Sequence, residues 1–317
     1  MAVDAYALIL AMLALGYALG RLRIAPQGAA RTLNALVLYV CLPASVLRYV
    51  PKLDPQPALF AVAAIPWLLL AATVPLVSWI ARVGRFRDDE RAVLLLTVAL
   101  GNTSFLGYPL TRALLGEDAL PYAVIYDQLG AFLILSTFGL WVLARYGAPA
   151  SATSDTNAGM RETARTPDAR AMLVRVLKFP PLWALIIAFA LMPAAPPLPF
   201  ATVLRVLSDA LLPLAMLSVG WSVRLSLPRE ELAPLAAGLI LKLAVMPALA
   251  WPLTWLLGLQ GAMARVAVFE SAMPAMVTAG ALAITHGLAP RLAAALVGCG
   301  VLLSLATLPL WARLPIG

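Results

Sequence analysis

The chain has 317 residues, of which 62% are hydrophobic and 12% are charged, and its mean hydropathy is +0.91. A soluble domain is about half apolar and about a quarter charged, so this composition excludes an ordinary soluble enzyme, a disordered protein and a disulfide scaffold. The net charge of +8 does not indicate a nucleic-acid partner, because the basic residues lie between apolar stretches. The predicted fold class is an all-α protein whose helices span a lipid bilayer.

Ten apolar stretches are long enough to span a bilayer, which takes about 20 residues each. We number them as segments 1 to 10, and they cover roughly 4–20, 33–50, 57–81, 92–115, 120–144, 174–193, 201–223, 231–257, 262–286 and 290–312. A polar stretch, 146–171, separates five segments from five. The predicted organisation is a first half, 1–145, a linker loop, 146–171, and a second half, 172–317.

Lys and Arg residues are concentrated in the loops on one side of these segments. The loops that join segments 1 and 2, 3 and 4, 5 and 6, 7 and 8, and 9 and 10 carry most of them. Because positive loops mark the cytoplasmic side, we expect the polar loop to lie in the cytoplasm. Both termini are then expected on the outer, periplasmic side of the inner membrane.

Five segments in each half is an odd number, so two halves with the same fold would be inverted relative to each other, as in many secondary transporters. Prolines support this repeat. Pro43 in segment 2 corresponds to Pro213 in segment 7, and Pro109 in segment 4 corresponds to Pro274 in segment 9. Since proline removes a backbone donor, each of these positions is a candidate helix break.

Segment 4 contains the sequence GNTSFLGYPL, which places two glycines, a proline and several polar side chains in the middle of the membrane. Such a cluster suits a broken helix, because its free backbone groups need partners. Pro109 would suit the start of a second half-helix, whose N–H groups and partial positive charge attract a carboxylate. The candidate substrate-binding residues here are Asn102, Thr103, Ser104, Gly107, Tyr108 and Pro109.

Segment 9 contains the sequence ESAMPAMVTAG, and Met273 and Pro274 are its candidate substrate-binding residues. Pro274 would again start a half-helix, so that two half-helix N-termini meet near the midplane and hold an anion. Glu270 precedes this break, and an acid inside the membrane is a functional candidate because its burial is costly. It is predicted either to take part in ion coupling or to accept a structural hydrogen bond.

Three further charges lie inside apolar segments. Asp127 in segment 5 and Lys242 in segment 8 are, with Glu270, the candidates for ion coupling or for neutralising an anionic substrate. Lys242 is expected to face a cavity or an acid. Asp209 follows Arg205 by four residues, a spacing that predicts a structural ion pair at the membrane edge.

The chain shows no motif for a metal, a cofactor or an enzyme. Cys41, Cys299 and His286 cannot form an ordinary zinc site, and no phosphate-binding glycine loop or nucleophile motif is present. We therefore predict no catalytic residue, no metal ligand and no cofactor.

The motif in segment 4 resembles the crossover motif of the auxin efflux carrier family, which includes the plant PIN-FORMED transporters and bacterial organic-anion carriers. Sequences in segments 2, 7 and 9 also resemble family blocks: LNALVLYVCLPASVL, LSDALLPLAMLSVGWSV and ESAMPAMVTAGALA. The similarity extends over essentially the whole chain. The short polar loop differs from the long hydrophilic loop of many plant members and is similar to the bacterial ones.

The resemblance implies a fold similar to that of bile-acid symporters and sodium/proton antiporters. Segments 1, 2, 6 and 7 would form a scaffold that often dimerises, so a homodimer is expected. Segments 3–5 and 8–10 would form a mobile transport domain, in which segments 4 and 9 cross at their breaks and an elevator-like movement carries the substrate. The expected substrates are small carboxylates similar to auxin or to malate and malonate.

The sequence leaves two alternatives to a carboxylate carrier. The first is a cation/proton antiporter of the same architecture, with Asp127, Glu270 and Lys242 as its ion site; coupling to Na⁺ or H⁺ stays open in either case. The second is an intramembrane enzyme or a receptor, which the lack of a catalytic pair disfavours.

Overall fold

The computed structural model describes residues 2–22, 28–53, 56–147, 174, 177–223 and 229–316, and the regular secondary structure in those ranges is helical. The longer helices are α1, Ala2–Leu22; α2, Ala29–Lys52; α3, Ala58–Val83; α4, Asp88–Ala99; α5, Thr103–Gly107 continuing as Tyr108–Leu114; α6, Glu117–Tyr146; α7, Pro180–Ala190; α8, Leu198–Ser222; α9, Leu232–Leu256; α10, Gly261–Ser271; α11, Val277–Thr285; and α12, Pro290–Arg313. The predicted linker, 146–171, lies outside the described residues except for its first two.

Six of these helices are long and apolar enough to cross a membrane by length and composition: α2, α3, α6, α8, α9 and α12. The apolar parts of α1 and α7 are shorter, Tyr6–Leu22 and Pro180–Ala190. Segment 4 is divided into α4 and α5, and segment 9 is divided into α10 and α11. The chain is therefore a helical protein with several helices of membrane-spanning length.

The predicted breaks at Pro43 and Pro213 have different outcomes. Pro43 follows a π-helical turn, Val37–Cys41, and α2 continues through both to its end at Lys52. A π turn carries an extra residue, which lets the proline ring fit without ending the helix. In α8 the α-helical conformation ends at Asp209 and begins again at Leu211, so the turn at Ala210 lies just before Pro213, and the Leu214 N–H donates to the Ala210 carbonyl over 3.2 Å. The expectation of a break is therefore wrong for segment 2, whereas segment 7 has a short interruption just before its predicted proline.

Helices α1 and α8 touch through their backbones. A Cβ atom on Gly16 would lie 2.2 Å from the Leu217 carbonyl oxygen, and a Cβ atom on Gly220 would lie 2.2 Å from the Leu13 carbonyl oxygen. No other residue type fits at either position, because such contacts are far below the van der Waals distance. Small residues at the contact between two helices commonly allow close helix packing inside a membrane.

The interrupted segments lie at the centre of a second group of helices. Helix α4 packs against α3, α6, α9 and α12, and α10 packs against the same four helices. Nearly all residues of α4 from Ala92 to Val98 and of α10 from Val266 to Ser271 are buried. Polar groups at the two breaks are thereby removed from lipid, which is the condition for irregular backbone at membrane depth.

Candidate functional site

The two helix breaks meet each other through their backbones. The chain between α4 and α5 is extended at Leu100, and the chain between α10 and α11 is extended at Met276. The Asn102 N–H donates to the Pro274 carbonyl over 2.8 Å, and the Met276 N–H donates to the Leu100 carbonyl over 2.9 Å. Each break thus satisfies backbone groups of the other, which water would otherwise have to do.

A close approach at Gly101 makes this contact possible. Gly101 forms an isolated antiparallel bridge with Ala275. A Cβ atom on Gly101 would lie 3.2 Å from the Lys242 Nζ and 3.4 Å from the Met273 Cβ, so the crossing leaves little room for a side chain at this position. We call the region formed by Leu100–Asn102 and Ala272–Met276 the crossing.

The two half-helices leave the crossing at residues that differ from the sequence prediction. Helix α5 begins as a π turn at Thr103, and its α-helical part starts at Tyr108 with Pro109 in the first turn. Helix α11 begins at Val277, so Pro274 lies in the extended chain and does not start the helix. The carbonyl of Pro274 is used for the bond to Asn102, which explains why the helix begins later.

Asp127 on α6 holds the first turn of α5. Its carboxylate accepts hydrogen bonds from the hydroxyls of Thr103 at 2.5 Å, Ser104 at 2.7 Å and Tyr108 at 3.0 Å, and from the Gln128 amide at 2.8 Å. Asp127 is 1% exposed. A buried carboxylate with four donors is well compensated. The three hydroxyls predicted to bind substrate are therefore bonded to Asp127.

Glu270 on the last turn of α10 has one bonded and one free oxygen. Oε1 accepts a hydrogen bond from the Thr111 hydroxyl over 2.8 Å, whereas Oε2 has no partner among the described residues. The residue is fully buried. Gly107 faces it, since a Cβ atom there would lie 2.4 Å from Oε2. The unpaired oxygen makes Glu270 the uncompensated acid of this region.

Lys242 lies in a π turn of α9, Leu241–Val245, and its side chain is buried. No ion pair joins Lys242 to an acid in the part of the chain that the structure describes. Instead, Lys242 lines a cavity of about 10 Å³ together with Glu270, Gly101 and Thr103. That volume holds at most about one water molecule, so no organic substrate fits there in this conformation.

Asn102 carries the unused donor of the crossing. The residue is 2% exposed, and its Nδ2 has no hydrogen-bond partner within the described ranges. Its backbone is fully engaged, because the N–H donates to Pro274 and the carbonyl accepts from Leu106 and Gly107. A buried amide without a partner is costly, and a ligand with acceptor oxygens would remove that cost.

The predicted site residues therefore occupy distinct positions. Asn102, Met273 and Pro274 belong to the crossing; Thr103, Ser104 and Tyr108 contact Asp127; and Gly107 faces Glu270. Thr111 and Gln128 were not predicted as site residues. Each is a polar side chain in an apolar helix, within two residues of a predicted site residue, so the sequence alone could have identified both.

A second charged cluster lies at the far end of α5. Asp209 on α8 pairs with Arg48 on α2 at 2.8 Å and with Arg112 on α5 at 2.7 Å. The predicted pair between Arg205 and Asp209 does not form. The spacing of four residues describes only neighbours on one helix, whereas these partners come from two other helices.

The described residues contain no group of three or more His, Cys, Asp or Glu side chains that could hold a metal ion. Asp127 and Glu270 belong to separate hydrogen-bond clusters, and the Lys242 amine lines the cavity beside Glu270. The chemistry that the region offers is therefore the binding of an anion by N–H donors, together with one buried acid that can exchange a proton or bind a cation.

Comparison with known proteins places the chain among transporters. Residues 1–312 match the family described as Membrane transport protein. An uncharacterized transporter of Methanothermobacter thermautotrophicus is 28% identical over 308 residues, which cover 96% of this chain and 95% of the relative. An uncharacterized transporter of Methanocaldococcus jannaschii is 25% identical over 321 residues, which cover 98% of this chain and 97% of that relative.

Proposed function

The chain belongs to the family of membrane transport proteins, and from this premise we propose that it is a secondary carrier of small organic carboxylates. The family match agrees with the resemblance to the auxin efflux carriers and identifies a transporter, not an enzyme. The proposed substrates are auxin-like acids or acids similar to malate and malonate. They would be held at the crossing and moved by alternating access of the elevator type.

The single observation that carries this proposal is the crossing with its unused donors. The Asn102 Nδ2 is buried and has no partner among the described residues. Helices α5 and α11 both begin directly at the crossing. The first N–H groups of a helix have no acceptor within the helix, and they give its N-terminus a partial positive charge. These donors suit a carboxylate, which they bind without a full positive charge.

An inverted repeat is supported by the order of helix types. Each half begins with a short apolar helix, continues with two long helices, then has an interrupted pair, and ends with a long helix. Helices α1 and α7 are the first helices of the two halves, and α2 and α8 are the second ones. Their contacts correspond as well, because α1 packs against α8 and α7 packs against α2. We therefore assign α1, α2, α7 and α8 to a scaffold and the other helices to a transport domain.

The cavity at the crossing is too small for substrate, so the protein must change conformation before substrate binds. The lining comes from α3, α4, α5, α6, α9 and α10, together with Gly101, and all of these belong to the proposed transport domain. A dicarboxylate such as malonate is several times larger than the water-sized space. In the proposed mechanism this change is a movement of the transport domain against the scaffold that opens the crossing on one side.

A cation/proton antiporter is the second candidate, and the free Oε2 of Glu270 favours it. Two contacts weigh against it. Asp127 already accepts bonds from four donors, so it offers little to a cation. The Lys242 side chain lines the same cavity as Glu270, and its protonated form would repel Na⁺. A carboxylate carrier in which Glu270 or Lys242 modulates coupling therefore fits better.

The proposal includes a homodimer through the scaffold helices in the inner membrane, with both termini on the periplasmic side. Helix α2 has the exposed apolar residues Leu36 and Tyr39, at 43% and 60%, which a lipid or a second copy would cover.

Uptake into proteoliposomes tests the proposed substrate class. Vesicles with the purified protein are supplied with labelled malonate, malate or indole-3-acetate, and protein-free vesicles are the control. At least one acid is expected to accumulate in a saturable way. If none of them is transported or bound while a pH jump in Na⁺- or K⁺-loaded vesicles produces proton flux, the antiporter is correct and the carboxylate carrier is not.

An amide variant tests the crossing as the binding site. Asn102→Leu keeps the approximate side-chain size and removes the free donor, so we expect the KM for the acid to rise by about 10- to 100-fold. Asn34→Leu is the matched control, because Asn34 accepts a bond from Ser218 between α2 and α8, away from the crossing. An Asn102→Leu protein with an unchanged KM would place the substrate elsewhere.

A further inference from the structure

Asp209 connects two parts of the protein that the proposed function assigns to different domains. Its Oδ1 accepts from the Arg48 guanidinium on α2, which lies in the scaffold, at 2.8 Å. The same oxygen accepts from the Arg112 guanidinium on α5, which lies in the transport domain, at 2.7 Å. One carboxylate thus makes one contact within the scaffold and one contact across the domain boundary.

We propose that the contact between Arg112 and Asp209 is a gate that holds the transport domain against the scaffold in the conformation described here. This inference rests on the proposed division into scaffold and transport domain. Helix α5 is continuous from Thr103 at the crossing to Leu114, so Arg112 moves with the crossing as one rigid unit. A displacement of the crossing relative to α8 that exceeds the reach of the Arg112 side chain breaks this contact.

Both side chains keep another charged partner when this contact opens. Arg112 has a second partner, because its guanidinium also pairs with Glu117, the first residue of α6, at 2.5 Å. Asp209 keeps Arg48, which also donates to the Ser208 hydroxyl over 2.6 Å. The Asp209 side chain is 43% exposed, so water can solvate the separated groups. An exposed ion pair of this kind is weak enough to open during a transport cycle.

Paired cross-links test whether this contact must open. Cys41 and Cys299 are first replaced by alanine, which removes both native cysteines. Arg112→Cys with Asp209→Cys and Arg48→Cys with Asp209→Cys are then treated with a bifunctional, reducible thiol reagent. The cross-link between 112 and 209 is expected to abolish uptake, and reduction is expected to restore it. The cross-link between 48 and 209 lies within the scaffold and is expected to leave uptake unchanged.

A second measurement needs no substrate. Phe105 lies half-buried on the turn of α5 that packs against α8, so a cysteine there reports the separation of the two helices. In the background without native cysteines, Arg112→Gln is expected to raise the labelling rate of Phe105→Cys about two- to five-fold, the effect of losing one exposed ion pair. In Arg48→Gln, Arg112 is the remaining ion-pair partner of Asp209, so the gate contact is kept. This variant is expected to leave the labelling rate unchanged or to lower it.

The outcomes separate the gate from the proposed substrate class. Uptake that persists with the 112–209 cross-link overturns the gate, even where a carboxylate is clearly transported. Equal labelling rates in Arg112→Gln and Arg48→Gln overturn it as well. If no carboxylate is transported, the substrate proposal fails, and the labelling ratio still supports or refutes the gate.

Discussion

The Glu270 carboxylate has one oxygen bonded to Thr111 and one without a partner, at a position that is fully buried. Glu270→Gln keeps an acceptor for the Thr111 hydroxyl but removes the ability to exchange a proton or to bind a cation strongly. We expect this variant to retain its fold and to lose the dependence of transport on pH or on Na⁺. Uptake measured over a range of pH values, with and without Na⁺, is the measurement.

The control for this variant is Glu230→Gln, because Glu230 is exposed before α9. It should leave the dependence of uptake on pH and Na⁺ unchanged. A Glu270→Gln protein with the pH and Na⁺ profile of the wild type would show that Glu270 only accepts a structural hydrogen bond.

Gly107 is required by the position of the same carboxylate. An alanine there would place its Cβ 2.4 Å from the Glu270 Oε2, inside a buried contact. Although alanine favours a helix over glycine by about 1 kcal/mol, overpacking a buried site costs about 1–3 kcal/mol. We expect Gly107→Ala to lower the thermal stability in detergent and to reduce transport.

Gly300→Ala is the matched control for Gly107→Ala. Its Cβ would lie 3.5 Å from the nearest atom, which is an ordinary contact. It is expected to be neutral or to stabilise the protein slightly. If both variants unfold at the same temperature and transport equally well, the space beside Glu270 is not limiting.

At the scale of helices, Pro274 helps to keep α10 and α11 separate. Pro274 has no N–H to continue the helix, and its carbonyl accepts from the Asn102 N–H over 2.8 Å. Alanine at 274 regains a donor and allows α10 to extend into the crossing. Pro109→Ala combined with Pro274→Ala is therefore expected to lower the transport rate more than the amount of folded protein.

Pro75→Ala combined with Pro309→Ala is the control for the crossing prolines, because these prolines lie inside the continuous helices α3 and α12. Transport per folded molecule should change little in this control. A loss of transport and of protein abundance in equal proportion in the 109 and 274 variant would assign those prolines to folding only.

The sequence predicted the helices well, because the length of an apolar stretch and its flanking polar residues are local properties. The bounds of segments 3, 8 and 10 differ from those of α3, α9 and α12 by no more than a few residues. The π turn before Pro43 was not predicted. Whether a proline breaks a helix depends on how nearby backbone groups find partners, and the residue type alone does not reveal this.

The candidate site was predicted only in part, because tertiary partners decide the role of a polar side chain. Thr103 and Ser104 were expected to contact substrate, yet their hydroxyls donate to Asp127 on another helix. Asp209 was expected to pair along its own helix, and its partners are Arg48 and Arg112. The sequence identifies the polar side chains within apolar helices. Their hydrogen-bond and ion-pair partners are determined by the packing of helices that are distant in the sequence.

At the scale of the whole molecule, the inverted repeat makes a prediction about the side of the membrane on which the linker lies. Two halves of the same fold can be inverted only if each crosses the membrane an odd number of times. The linker must then lie on the side opposite to both termini. Two halves with an even number of crossings would place the linker and both termini on the same side.

Single cysteines in a background without native cysteines measure this arrangement. We expect Ser154→Cys in the linker to react with a membrane-impermeant thiol reagent only in inside-out vesicles, because the basic loops mark the cytoplasmic side. Ala2→Cys and Pro315→Cys, the latter at an exposed position, should react only from the outer side of intact spheroplasts. Labelling of all three positions from one side would rule out the inverted repeat, since the linker and the termini would then be separated by an even number of crossings.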